Sequence, residues 1–158
     1  MFSVQNVFTF SMGTILMLGL SGNAQAFSIY ASDSSGRVGT VDPGTGEFSS
    51  VLQSGTQFTD IAITEEGSLF GTSFTGLYSI DQSAGLTTFI GNYGFSGMNA
   101  LGFTGSNALY GARNTGGVYQ IDASTGSSAL LAGTSGFRSS GDIVFDPTQN
   151  LFWGTSTS

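Results

Sequence analysis

The chain has 158 residues, among them 25 Gly and 2 Pro, with 13% aromatic side chains and a formal net charge of −7 from ten acids against three Arg. That apolar and aromatic content belongs to one packed domain and not to a disordered tail, while three cations are too few to neutralise a phosphate backbone or to dock on anionic lipid. The absence of Cys and His excludes disulfides, thiolate nucleophiles and imidazole bases, and with them any Ser-His-Asp or Cys-His set.

The first predicted element is a targeting segment. Val7 to Leu20 reads VFTFSMGTILMLGL, an apolar run of signal-peptide length, and Ala24-Gln25-Ala26 fits a small-x-small cleavage site. Residues 1–26 are therefore expected to be removed, with the mature chain starting at Phe27, although MFSVQN carries no Lys or Arg. The run is too short, and too often interrupted by Ser, Thr and Gly, to cross a hydrocarbon core of roughly 30 Å. No stable membrane span is expected after cleavage, and a secreted location follows, extracellular or periplasmic.

Beyond residue 26 the chain repeats itself. Val41-Asp42, Ile80-Asp81 and Ile121-Asp122 recur at spacings of 39 and 41, and each Asp is followed four residues later by Gly: Gly46, Gly85 and Gly126. Between these lie TDIAITEEGSLFGTS from Thr59, NALGFTGSNALYGAR from Asn99 and GDIVFDPTQNLFWGTS from Gly141, which align Leu69-Phe70-Gly71, Leu109-Tyr110-Gly111 and Phe152-Trp153-Gly154. FSIYASD from Phe27 opens the series as a first copy of the later half.

Each part is rich in Ile, Val, Phe, Tyr and Thr and is bounded by Gly, Ser, Asn and Asp, which is strand chemistry; no stretch sustains a 3.6-residue period. DIAIT, SLFGTS, GLYSID and LTTFIG are read as strands A to D of one unit. Four short strands and their turns fill roughly forty residues, and a four-stranded antiparallel unit at that period is a β-propeller blade. The fold class expected is all-β, an incomplete propeller over residues 27–158, with repeats at about 27–57, 58–97, 98–140 and 141–158, the last incomplete. Three repeats fall short of the four to eight blades that close a propeller, which points to a fragment whose edge strands are free to self-associate.

Most acidic and aromatic positions read as architecture. Asp42, Asp81 and Asp122 stand at strand ends, where Asx-turns form, and the Gly that follows suits the left-handed residue closing a hairpin turn. Asp33 and Glu65-Glu66 fall in turn-like stretches as solvated acids. Phe70, Tyr110 and Trp153 share one blade position and read as packing between blades. Asp60 and Asp142, with Asn99 as their counterpart, begin strand A and either bond the preceding loop or line a central channel. Arg113 and Arg138, in loops of similar appearance, complete the weak candidates for ligand binding. No catalytic residue, metal set or cofactor is indicated.

Blades reading LYxID-xxTG-xxxxIG, preceded by DIAF/DIVF-type strands ending in LYG, resemble those of secreted bacterial β-propeller repeat proteins, including the NHL, YVTN and quinoprotein-like groups. Many such proteins carry a PEP-CTERM sorting signal; this sequence has no Pro-Glu-Pro motif. The resemblance covers about residues 27–158 and implies a non-catalytic binding or scaffold protein of the envelope or extracellular matrix, with a protein or polysaccharide partner. The alternatives are part of a propeller lyase, hydrolase or quinoprotein, or a non-functional remnant.

Overall fold

A computed structural model describes residues 29–157. The expected signal peptide and its cleavage site lie outside the described residues. Thirteen strands follow one another in four antiparallel sheets, and no helix occurs among the described residues. The first sheet holds β1 (Ile29–Ser32), β2 (Arg37–Val41) and β3 (Phe48–Gln53). The second holds β4 (Asp60–Ile63), β5 (Leu69–Thr72), β6 (Gly76–Asp81) and β7 (Leu86–Asn92). The third holds β8 (Met98–Phe103), β9 (Leu109–Arg113), β10 (Val118–Ile121) and β11 (Ser128–Leu130), and the fourth β12 (Ser139–Asp146) and β13 (Leu151–Ser156). Strands A to D of the sequence reading correspond to β4 to β7, with Thr64 leaving the first strand to open a turn.

That turn and its relatives are built as their composition dictates. Asp42 Oδ1 accepts from the Gly44 and Thr45 N–H groups, Asp81 Oδ1 from Ser83 and Ala84, and Asp122 Oδ1 from Ser124. Gly46, Gly85 and Gly126 all have φ between 65° and 74°, which a side chain enters only at a cost. Asp33 likewise caps its own turn and pairs with Arg37 at 2.6 Å.

The sheets stack face to face, so the core lies between them. Val38 and Leu52 of the first meet Leu69 and Ile80 of the second, with Phe58 from the segment between the two sheets. Leu77, Met98, Leu101, Leu109 and Ile121 fill the next layer, where full burial of each large side chain contributes about 1.5–3 kcal/mol. Ala100, Ala112 and Ile143 form a thinner third layer with Tyr110, Phe137 and Phe152 around them.

The strand pairings give a common register. Ile61 lies opposite Gly71, Leu101 opposite Gly111 and Ile143 opposite Gly154. On that register Tyr30, Phe70, Tyr110 and Trp153 are equivalent. Phe70 packs edge-on against Phe103 of the next sheet at 5.3 Å between centroids, and Tyr110 against Phe152 at 5.2 Å. Trp153 departs from the expected packing: no described sheet follows it, and it is 54% exposed.

Candidate functional site

Two hollows lie along the innermost strands. One, of about 380 Å³, runs over the middles and ends of β4, β8 and β12 and is mostly apolar, with Glu65 and Asp142 on its rim. The other, of about 550 Å³, opens where these strands begin and is lined by Gln57, Thr59, Ser73, Phe74, Asn99 and Asn114 among others.

The register corrects one pairing made from sequence. Asp60 lies opposite Thr72 and Ala100 opposite Ala112, so Ala100 is the counterpart of Asp60 and of Asp142, and Asn99 is the counterpart of Thr59. The aligned segments that start at Thr59, Asn99 and Gly141 give the same correspondence, so the pairing of Asn99 with the two aspartates is one position out. Thr59 and Asn99 do equivalent work. The Thr59 hydroxyl donates to the Met98 carbonyl at 3.0 Å, and the Asn99 amide to the Ser139 carbonyl at 3.2 Å, each linking one sheet to the next.

Asp60 is a second link of this kind. Its Oδ2 accepts from the Leu101 N–H of the third sheet at 2.6 Å while its Oδ1 accepts from the Ile61 N–H at 2.8 Å. Burial pushes its carboxyl up to about 7, the charge of Asp142 adds to that, and the two N–H groups pull it the other way. Both oxygens are occupied by backbone, which makes Asp60 a brace. Asp142 is exposed on the rim of the apolar hollow.

The two arginines are not equivalent. Arg113 ends β9, stacks over Phe95 at 4.4 Å, and donates to the Ser96 carbonyl and the Tyr119 hydroxyl. Three of its N–H groups are spent inside the fold, so it clamps a loop. Arg138 is exposed in the segment before β12. The structure thus brings only Asn99, of the five candidates, into the polar hollow.

Phe74, Ser73 and Asn114 escaped sequence reasoning. All three sit in the turns TSFTGL and ARNTGG that join the second and third strands of a sheet, and the recurrence of those turns was the available signal. The Phe74 carbonyl accepts from the Gly97 and Met98 N–H groups of the next sheet, which fixes its backbone and leaves the ring 49% exposed. Asn99 Oδ1 is buried with no hydrogen-bond partner among the described residues, a costly state. No charged side chain is among the residues lining this hollow. Among the described residues no three carboxylates are placed to hold a metal ion.

No protein-family model and no curated protein sequence matches the chain. Solved structures do. A nidogen/laminin complex matches at TM-score 0.66 and 13% identity over 83% of this chain and 53% of that one. An auxiliary nutrient binding protein from Bacteroides thetaiotaomicron matches at 0.62 and 18%, over 82% and 33%. TolB from Acinetobacter baumannii matches at 0.58 and 21%, over 82% and 35%. These sheets are β-propeller blades. The chain spans between a third and about half the length of these relatives in fold.

Proposed function

We infer that this is a secreted, non-catalytic β-propeller that binds a neutral, hydroxyl-rich ligand, a polysaccharide of the envelope or matrix, in the hollow at Asn99. One observation carries the reading: the hollow that Asn99 lines is walled by uncharged amides and hydroxyls beside the exposed ring of Phe74. Amides and hydroxyls exchange hydrogen bonds with sugar hydroxyls, and an aromatic face takes the apolar face of a sugar ring. The Bacteroides nutrient binding proteins of the same fold, and the signal-like residues 1–26, support the secreted setting.

Affinity electrophoresis through gels containing neutral polysaccharides tests it. Retardation by at least one neutral polymer is expected. Phe74→Ala should weaken it about two- to tenfold, the worth of one stacked ring at roughly 0.5–1.5 kcal/mol. Asn99→Ala should weaken it by a similar factor through the lost hydrogen bonds. Equal mobility of the wild type and both variants in every gel would remove the basis for this site.

A further inference from the structure

Arg113 differs from its repeat equivalents in reaching out of its own turn. The pairings of Ser32 with Val38, Thr72 with Leu77 and Ala112 with Val118 make residues 33, 73 and 113 equivalent. Each opens the turn that leads into β2, β6 or β10. The Asp33 carboxylate bonds to Ser35 and Arg37, and the Ser73 hydroxyl to Thr75 and Gly76, all within their own turns. Arg113 crosses instead to the connection between β7 and β8. Its Nε and Nη2 groups both donate to the Ser96 carbonyl, at 3.1 and 2.9 Å, and its Nη1 donates to the Tyr119 hydroxyl at 3.0 Å. The guanidinium lies over Phe95, whose ring is wedged between Tyr93 and Tyr119 at 5.9 and 4.6 Å between centroids. No carboxylate pairs with it among the described residues, so aromatic faces and one doubly used carbonyl hold the charge in place.

That connection fastens turns from two blades. The Tyr93 N–H donates to the Thr75 carbonyl, and the Gly97 and Met98 N–H groups donate to the Phe74 carbonyl. On its other side the Gly97 carbonyl accepts from the Asn114 N–H. Phe74 and Thr75 belong to the second blade and Asn114 to the third, and all three line the polar hollow. There is little slack at the junction. Gly97 has a φ of 103°, and a Cβ added to it would lie 2.6 Å from Asn114 Oδ1.

We propose, on the reading of this hollow as a site for a neutral ligand, that Arg113 is its positioning residue. By fixing Phe95 and Ser96 it sets the peptide groups of Gly97, and through them the places of the Phe74 ring and the Asn114 amide. Arg113 is not itself among the residues that line the hollow, so it acts through these two and its charge is not offered to the ligand.

Amide hydrogen exchange of the full chain, wild type against Arg113→Met, separates positioning from general support. Exchange at Gly97, Met98 and Asn114 should quicken about tenfold or more while the amides paired between β5 and β6 keep their rates. Arg113→Lys should fall between the two, since an ammonium reaches the Ser96 carbonyl but cannot lie flat on Phe95. In gels of neutral polysaccharide, Arg113→Met should weaken retardation by about the two- to tenfold expected of Phe74→Ala, equally at low and high salt. The double variant should lose less than the product of the single losses, because one change acts through the other. Uniform quickening across all strands, or unchanged exchange at the three amides, overturns the positioning role, and so does a double loss equal to that product. A wild type that no gel retards removes the ligand reading, and the exchange pattern alone then decides whether Arg113 sets Phe74 and Asn114.

Discussion

Asp60 concentrates the pH behaviour expected of the protein. The folded chain holds its proton up to about pH 7, whereas the unfolded chain releases it near 3.8. Between those values the folded state binds more protons, so stability falls as pH rises through the window. The turn acids act in the opposite sense. The Ala84 N–H with the Ser83 hydroxyl holds the Asp81 carboxyl below its usual range, and the Ser124 hydroxyl with its N–H does the same for Asp122. Their contribution is present above the ordinary carboxylate range and is lost as pH drops below it. Denaturant midpoints measured from about pH 3 to pH 8 should therefore peak near pH 4. Asp60→Asn should flatten the fall above that peak and lower stability at the peak by about 1–3 kcal/mol, since one amide oxygen cannot satisfy both N–H groups as the carboxyl does. A wild-type midpoint that rises from pH 4 to pH 7 would contradict the role given to Asp60. The turn aspartates were legible from sequence because their partners are two or three residues away. The role of Asp60 was not, because its partner Leu101 is 41 residues distant.

The hairpin motif was also legible as an element, but its three copies are not alike in context. Gly85 has open space where a Cβ would be added, so Gly85→Ala meets only the left-handed backbone and should cost about 1–2 kcal/mol. Gly126 has the same φ region, yet its added Cβ would lie 2.8 Å from the backbone of Gly91 in the preceding blade. Gly126→Ala should therefore cost clearly more than Gly85→Ala in thermal or denaturant unfolding, because backbone cannot swing aside as a side chain can. Equal losses would show that the two blades do not approach as described. Strand identity came from alternation and turn residues, and the four-strand unit came from the period. The period itself sets Asn99 level with Thr59 and Ala100 level with Asp60, and Thr59 and Asn99 both line the polar hollow; what the repeat hides is that those two positions from different blades meet there.

At the scale of the whole molecule, stacked blades place their inner strands side by side, and one hollow forms where those strands begin. Its chemistry depends on turns from several blades meeting, which no single repeat reveals; Phe74 is an unremarkable loop aromatic until the next blade fixes its backbone. The strongly acidic surface, −7 overall, repels anionic polymers and leaves neutral ones unaffected. Calorimetric titration with soluble neutral oligosaccharides at low and high salt therefore tests the binding reading most directly. Saturable heat is expected with at least one of them, with unchanged affinity between the two salt conditions and weakened binding in Asn99→Ala. Binding confined to charged polymers and abolished by salt, or heat retained in full by Asn99→Ala, would contradict it.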